Sequence, residues 1–462
     1  MRTITDERYN RWLNDLSVPR IILVELDHSG GTEYLASAPY VTYPDDEISN
    51  QVYDDILQQA VDIETRIDSK INFGEIVLTN DGKLDSWISK AWKGYEIRIY
   101  IGSPHGHRDD FRLHARGIND GISQSKRGKL SFLMIDSSSK LDEVIDTGRL
   151  PDDAGPVPLL FGFNYNVPAY RTDDSTSYTY KISYLPLTGL LFFDGGAKVS
   201  AYWSPDSDQT AIYVNQTVVQ QASAQASINT LKYPNQVIQW VADYYNIEIA
   251  ECNLYNYTLS LYYNSDVTGK QILDDICTSF NAYWYLNELN QLVVKREEIK
   301  STADVVLVDD DIFYDGVTLT DTIAPLKSLT FRYSRNYQVL SQVAGSVEDS
   351  DAAEAARFKR EWSEIIQTQN VDIYKTAENT TINSCLYLQG NANSEAQRQL
   401  SYNSNRFDVY EIDCFIKPVV IGQTIYVDHP MIRRNGIITS VNRSPTKSRT
   451  RIRIKVINND IR

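Results

Sequence analysis

The sequence predicts a mainly β protein of several domains with a small α+β insert, and three observations support this prediction. Most of the 462 residues fall into short runs of β-branched and aromatic residues separated by Gly, Pro, Asn and Asp. Between residues 226 and 300 the apolar spacing changes from that of strands to that of helices. The hydrophobic fraction of 42% is ordinary for folded domains, and this length is enough for about three or four of them.

Residues 1–148 are predicted to form an N-terminal β-barrel. A β-rich run at 20–27 is followed by turn residues, and Asn80-Asp81-Gly82 supplies a strong turn signal after a second run. Residues 95–101 alternate apolar and polar side chains, which is the pattern of a half-buried strand. A short helix is predicted at 85–92.

Two smaller units are predicted next. Prolines at 151, 156 and 158 mark a boundary, and residues 149–225 beyond it form a small β domain of short runs and turns. Residues 226–300 form a small α+β domain. Its two helices, at 234–245 and 269–280, each carry one apolar face, and a hairpin follows at 282–295.

Residues 301–462 are predicted to form a C-terminal β-barrel domain with one or two helices. Strand patterns at 408–415, 423–427, 436–441 and 451–456 support the barrel. An acidic, Ala-rich segment at 348–360 favours a helix. A second helix is predicted at 394–401, with Ser394 as its cap and Gln397 three residues later.

The charge and the cysteines exclude several classes of function. The net charge of −16 disfavours a protein that binds nucleic acid through phosphate contacts. The first ten residues lack the apolar core of a signal peptide, and no apolar run approaches the roughly 20 residues that span a bilayer. We therefore expect folding in a cytoplasm. The four cysteines are far apart, which favours buried free thiols over disulfides or a zinc site.

Two acidic or histidine-bearing segments are candidate metal sites. His105 and His107, with Asp109 and Asp110, offer ligand types suited to zinc or another divalent ion. No motif fixes their geometry, so a solvated turn between two strands is the preferred interpretation. Asp309, Asp310 and Asp311 are consecutive and lack the alternation of a calcium loop, so a solvated turn is preferred there as well.

An aromatic set could line a sugar-binding surface, although core or subunit-interface positions are the preferred interpretation. Its members are Trp203, Tyr213, Tyr244, Tyr245, Tyr255 and Tyr257. The sequence contains no nucleophile-elbow, zinc-protease, phosphate-loop or dinucleotide motif. We therefore expect no enzyme activity, no catalytic residues, no cofactor and no bound metal.

Three stretches resemble hub-type proteins of the tail tip, or baseplate, of long-tailed bacteriophages. Residues 73–102 contain the Asn80-Asp81-Gly82 turn and a Trp92-Lys93-Gly94-Tyr95 segment that leads into a strand. Residues 157–170 (VPLLFGFNYNVPAY) are similar to a second segment of these proteins. In residues 394–456, a helix precedes a Pro-x-x-x-Gly-Gln turn and a final hairpin. The order of the three stretches agrees with that family across nearly the whole chain.

The resemblance implies a structural virion protein. It implies a homotrimeric ring at the distal end of the tail tube, with two tandem tube-like β-barrels per chain and a channel for DNA ejection. Three chains would then present six barrels, which match a hexameric ring of the tail tube above. We place the two barrels at 1–148 and 316–462. The implied partners are tail tube or distal tail ring proteins, tail fibre or spike proteins and a tape-measure protein, with transient, non-specific passage of DNA. The chain would be assembled in the host bacterial cytoplasm and located in the virion tail. Two alternatives remain open: another tail-tip ring such as a distal tail protein, and a virion carbohydrate-binding protein or glycosidase.

Overall fold

The computed structural model describes residues 8–9, 11–12, 15, 18–59, 63–67, 72–172, 178–204, 208–371, 375, 377–444 and 449–459. The fold is mainly β and built from several sheets, as the sequence predicts. Five α-helices have both ends within the described residues, at Pro234–Tyr244, Gly269–Ser279, Gly345–Ser350, Ala352–Phe358 and Gln389–Asn403. Residues 8–9 and 11–12 are also α-helical. Short 3-10 helices lie at Asp85–Ser89, Arg108–Asp110, Ser137–Asp142, Pro151–Asp153, Asn229–Leu231 and Asp309–Asp311.

The N-terminal sheet has seven strands. In spatial order they are Gly31–Ala36, Ile21–His28, Glu96–Gly102, Arg112–Lys126, Gly128–Ile135, Glu75–Asn80 and Leu57–Gln59. Alternate side chains such as Val24, Ile99 and Phe132 point into one apolar core, because successive residues of a strand face opposite sides. A small ladder of Tyr40–Val41 and Val52–Tyr53 covers part of the opposite face.

One short segment bonds to both edges of the N-terminal sheet and closes it as a barrel. Asp54 accepts a hydrogen bond from the Ala36 amide (2.7 Å) and donates one to the Tyr34 carbonyl (2.9 Å) at the first edge. A few residues later, Leu57 pairs with Leu78 at the other edge. Closure leaves few unpaired backbone groups at these two edges.

The central part of the chain contains four smaller sheets. A five-stranded sheet comprises Ala197–Val199, Gly189–Asp194, Ala222–Ile228, Leu159–Pro168 and Ser260–Tyr263. A four-stranded sheet comprises Tyr170–Arg171, Tyr178–Lys181, Ala211–Val214 and Tyr202–Trp203, and the two sheets share one apolar core. Two three-stranded sheets comprise Ile249–Asn253, Leu292–Arg296 and Ala282–Leu286, and Ser363–Thr368, Leu326–Tyr333 and Glu378–Asn383.

The helices predicted from their apolar spacing lie where the sequence places them. The buried faces of Pro234–Tyr244 and Gly269–Ser279 meet in the largest core of the molecule. Thr268 caps the second helix by accepting a hydrogen bond from the Gln271 amide (3.2 Å). The predicted hairpin that follows is also present, as the strands Ala282–Leu286 and Leu292–Arg296.

The segment 326–403 does not lie in the C-terminal sheet, although the sequence predicts one β-barrel domain over residues 301–462. Leu329 and Phe331 from its first strand and Leu400 from its long helix are buried in the same core as the helices of 226–300. That helix also begins earlier than predicted, at Gln389, and Ser394 lies inside it, where its hydroxyl donates to the Gly390 carbonyl (3.0 Å). Tertiary packing of Ala392 and Ala396 accounts for the early start.

The C-terminal sheet is built around a separate core. In spatial order its main strands are Val305–Val308, Thr424–His429, Ile432–Ser444, Arg449–Ile457, Phe407–Phe415 and Ile312–Ile323. Tyr283, Tyr285 and Val293 of the central hairpin pack against this core. At the Pro-x-x-x-Gly-Gln turn, Gly422 has φ +76°, and a Cβ there would lie 1.7 Å from the Tyr283 hydroxyl. Only glycine fits this close approach.

The two large sheets repeat one arrangement of four strands. In the N-terminal sheet the chain runs Glu75–Asn80, Glu96–Gly102, Arg112–Lys126, Gly128–Ile135, and the first of these pairs with the last. In the C-terminal sheet Phe407–Phe415, Thr424–His429, Ile432–Ser444 and Arg449–Ile457 follow the same order, with every pair again antiparallel. The third strand is the longest of the four in both sheets.

A hairpin from the N-terminal part of the chain extends the C-terminal sheet. Its strands are Ile63–Arg66 and Asn72–Phe73. Ile63–Arg66 pairs antiparallel with residues 440–443 of the long strand Ile432–Ser444. Ile63 and Phe73 are buried in the N-terminal core, whereas Ile67 packs on the C-terminal core. The two sheets are therefore joined by strand pairing as well as by side-chain contact.

Candidate interaction surface

The histidine-bearing loop at 105–110 is held by one carboxylate of a neighbouring loop. His107 Nδ1 lies 2.9 Å from Asp46 Oδ1, and Asp46 Oδ2 accepts hydrogen bonds from the amides of Tyr43 (2.7 Å) and Arg108 (3.1 Å). Asp109 accepts a hydrogen bond from the Glu47 amide (3.3 Å), away from this carboxylate. The hydrogen bond to Asp46 raises the pKa of His107. The loop lies between the strands Glu96–Gly102 and Arg112–Lys126, and the Asp46 carboxylate joins it to the turn at residues 43–46.

The three aspartates at 309–311 do not converge on one point. Asp311 pairs with Lys417 (2.7 Å), and Asp309 lies 3.4 Å from His429 Nε2. Across the described ranges of the chain, no group of three or more His, Cys, Asp or Glu side chains is arranged to hold a metal ion.

The aromatic residues singled out from the sequence occupy three separate places. Tyr213 stacks on Tyr202 beside the exposed Trp203 in the four-stranded sheet. Tyr244 and Tyr245 contact each other at the end of the first long helix, and the Tyr245 hydroxyl donates to the Glu143 carbonyl (2.6 Å). Tyr255 and Tyr257 stack in a loop, with Arg296 over the first ring and Phe280 against the second. They form no continuous surface.

The strand Ile312–Ile323 forms one free edge of the C-terminal sheet. It pairs with Phe407–Phe415 on one side, and no strand in the described residues pairs with its other side. Apolar side chains of this strand are exposed, including Leu319 (45%) and Ile323. A long edge strand with exposed apolar residues is a ready site for pairing with another chain.

A bulge at the start of this strand exposes a tyrosine almost completely. Ile312 pairs with Cys414 and Val317 with Ile412, so the four residues between them bulge outward. Asp315 within the bulge has φ +58°. Tyr314 is 97% exposed, the highest value among the exposed large hydrophobic residues of the described chain. Exposed tyrosines are frequent anchors of protein interfaces. The free edge of Ile312–Ile323, with Tyr314, is the candidate interaction surface.

A buried ion pair lies where the two large sheets and the central hairpin meet. Glu288 in the hairpin turn pairs with Arg443 of the C-terminal sheet (2.7 Å), and its carbonyl accepts a hydrogen bond from the Arg116 amide of the N-terminal sheet (2.7 Å). Burial raises the pKa of the Glu288 carboxyl, but the Arg443 guanidinium outweighs this effect, and the net shift is downward.

His114 lies beside this ion pair. Burial and the positive charge of Arg443 lower the pKa of His114 to about 4. Its buried Nε2 has no hydrogen-bond partner among the described residues. The ring is therefore neutral near pH 7, and this three-way junction carries one buried pair of opposite charges rather than three charges.

The free edge was not predicted, although the sequence contains a signal for it. Phe-Tyr-Asp-Gly at 313–316 combines two aromatic residues with a turn signal inside a strand pattern, and such a combination is typical of a bulge. The junction of Glu288, Arg443 and His114 had no local signal, because the three residues are far apart in the chain.

Comparison with solved structures finds tail proteins that are similar to this chain at low sequence identity. Over 95% of its length it is similar to a 43 kDa prophage tail protein from Shewanella oneidensis, with 11% identity, 98% of that chain covered and a TM-score of 0.47. A tail protein from Neisseria meningitidis gives 10% identity and a TM-score of 0.46, with 94% of this chain and 96% of that chain covered. A prophage tail protein from Listeria monocytogenes gives 9% identity and a TM-score of 0.44, with 96% of each chain covered.

Each of these three solved structures is described as a tail protein. No family model matches the chain, and no curated protein sequence matches it. The function proposed below rests on the motifs and surfaces of this chain. Within the part of the chain that the structure describes, no helix is long and apolar enough to cross a membrane.

Proposed function

We propose that this chain is a structural protein of a phage tail, and that it forms the hub of the tail tip as a ring of three copies. The observation that carries the proposal is the repeated four-strand arrangement of the two large sheets. Each chain supplies two similar modules, so three chains supply six. A ring of six similar modules fits the sixfold tail tube that the sequence resemblance implies, because contacts that close a ring need matched symmetry.

The candidate interaction surface supports self-association. Its exposed apolar residues and unpaired backbone edge would be a liability in a monomer, since such edges promote association. Contact with a neighbouring copy in a ring removes that liability. The other free edge of the same sheet, Val305–Val308, also exposes apolar side chains at Val306 and Val308.

The proposed role is structural and includes no enzyme activity and no cofactor. The side chains that could have carried chemistry are engaged in local contacts: His107 with Asp46, and Asp311 with Lys417. The proposed partners are the tail tube or a distal tail ring, tail fibre or spike proteins and the tape-measure protein, with DNA passing through the ring during ejection.

The oligomeric state of the purified chain tests the proposal. We expect mass photometry to show a species of three times the mass of one chain. Leu319→Lys places a charge on the free edge. It should raise the protein concentration at which half of the chains are assembled by at least tenfold. Leu388→Lys is the matched control, because Leu388 is exposed to the same degree (46% against 45%) but lies outside the C-terminal sheet. A wild-type chain that stays monomeric, or a stable hexamer, would contradict the proposal.

A further inference from the structure

The long strand Arg112–Lys126 of the N-terminal sheet has a free stretch along one side. Its first half pairs with Glu96–Gly102, up to Ile118, and its second half pairs on the other side with Gly128–Ile135. The pairing with Glu96–Gly102 ends at Ile118. Beyond Asn119, no other strand in the described residues pairs with that same side of Arg112–Lys126. Residues 123–126 are exposed there.

The long strand Ile432–Ser444 of the C-terminal sheet is built in the same way. Its first half pairs with Thr424–His429, up to Ile437, and its second half pairs on the other side with Arg449–Ile457. The register with that last strand shifts between Ile438 and Ser440. In the N-terminal sheet, one shift falls between Asn119 and Gly121 and a second between Ile122 and Gln124.

These features allow the two long strands to be aligned with each other, residue by residue. Ile118 corresponds to Ile437, because each is the last residue paired with the preceding strand. The bulges then coincide: Asn119 corresponds to Ile438 and Gly121 to Ser440. In this alignment residues 121–124 correspond to residues 440–443, and the second shift of the N-terminal strand, at Ser123, has no counterpart in the C-terminal strand. Ile122 and Val441 correspond as well, and each packs on the core of its own sheet.

The corresponding stretch of the C-terminal sheet is occupied. Residues 440–443 pair with Ile63–Arg66 of the hairpin from the N-terminal part of the same chain. One module therefore extends a strand onto the edge of the next module, and the same edge of the first module is left without a strand.

We propose that a strand of a second copy of this chain pairs with residues 121–124 and repeats between copies the contact that Ile63–Arg66 makes within the chain. The inference rests on the proposed ring and adds a second contact between its copies, beside the one proposed for the free edge of Ile312–Ile323. A ring of alternating modules closes when similar contacts repeat at every joint, so a strand like Ile63–Arg66 is expected at each module. The N-terminal module can receive one only from another chain, because its own hairpin is already paired with the C-terminal sheet.

Hydrogen–deuterium exchange on the full chain, dilute and assembled, tests this inference. Amides of residues 120–126 should exchange at least tenfold more slowly in the assembled ring than in the monomer. Amides of residues 440–443 serve as the internal control, since their strand partner lies in the same chain and should protect them in both states. If the ring assembles and residues 120–126 exchange as in the monomer, the inference fails and the ring proposal stands. If no ring forms at any concentration, both fail.

Substitution at Ser123 gives a second test that is independent of exchange. Ser123 has no partner in the register with Gly128–Ile135, so a proline there leaves that register in place, while its ring and fixed φ disfavour the pairing of a new strand with this stretch. Ser123→Pro should weaken assembly at least tenfold, and Ser123→Ala, which keeps the N–H, should assemble as the wild type does. Equal assembly of the two variants, each with a wild-type circular dichroism spectrum, would overturn the inference.

Discussion

His114 makes the junction between the large sheets sensitive to acid. Its pKa of about 4 in the folded chain lies below the ordinary value of a histidine, because burial and Arg443 oppose its protonation. As the pH falls below about 6.5, unfolded chains take up the proton before folded chains do. The free energy of unfolding therefore decreases as the pH falls from about 6.5 to about 4. Below about pH 4, protonation of His114 lowers it no further.

We predict that His114→Gln removes this component of the pH dependence. Between pH 7 and pH 5 the wild type should lose roughly 1–2 kcal/mol more stability than the variant, given that one pKa unit corresponds to about 1.4 kcal/mol. Urea unfolding curves of both proteins at the two pH values measure the difference. Parallel losses in the two proteins would show that His114 does not titrate as proposed.

Residue-level features were predictable from sequence only where the neighbours in the chain create them. The Gly422-Gln423 turn was singled out from its motif, and the structure shows Gln423 Oε1 accepting a hydrogen bond from the Val420 amide (2.9 Å). The pKa of His114 could not be predicted, because Arg443 and Glu288 approach it only after three separate segments have folded.

At the scale of elements, the hairpin formed by Ile63–Arg66 and Asn72–Phe73 fastens the first module to the last. Thr65 lies near its middle, opposite Val441, and is buried. A single strand of four residues thus links parts of the chain that are almost 380 residues apart in sequence. Backbone pairing of this kind is specified by register, so it resists sliding of one sheet past the other.

We predict that Thr65→Pro detaches this strand. Proline removes the N–H and cannot be accommodated within a central strand, at a cost of about 3 kcal/mol or more. Amides of residues 440–443 should then exchange at least tenfold faster, whereas those of 449–457 should change little. Thr65→Val, which keeps the backbone donor and the side-chain shape, is the control. Unchanged protection of residues 440–443 in the proline variant would refute the prediction.

Helices whose buried face is a regular stripe of apolar residues were predicted well. A helix whose buried face contains polar residues was not. Gly269–Ser279 has a continuous apolar face that includes Ile272 and Ile276, so its bounds followed from spacing. Gln389–Asn403 buries Glu395 and Gln399 beside its alanines, and Arg398 neutralises Glu395. A helix whose buried face includes charged residues has no apolar stripe for sequence reasoning to detect.

At the scale of the whole molecule, the acidic charge bears on the proposed passage of DNA. The chain carries a net charge of −16, and a surface of like charge does not retain DNA through phosphate contacts. One basic row departs from this average: Arg449, Arg451 and Arg453 lie along the last strand. Asp413 pairs with the first two of them, at 2.5 Å and 3.0 Å, and reduces the positive charge of that row.

We predict that the assembled ring does not retain double-stranded DNA in a filter-binding assay, even at a low salt concentration of about 50 mM. Asp413→Asn exposes the charge of Arg449 and Arg451 and should raise retention measurably if this row faces the channel. Strong retention of DNA by the wild type that falls steeply with added salt would contradict this prediction.

The strand Ile63–Arg66 is synthesised well before the residues with which it pairs. Its partner residues at 440–443 leave the ribosome roughly 20 to 75 s later, at about 5 to 20 residues per second. For that interval the hairpin has an unpaired edge, and a chain whose translation stops early never acquires the partner. The pairing of Ile63–Arg66 with residues 440–443 therefore distinguishes finished chains from unfinished ones. A truncated product would lack the fixed spacing between modules that the proposed ring requires.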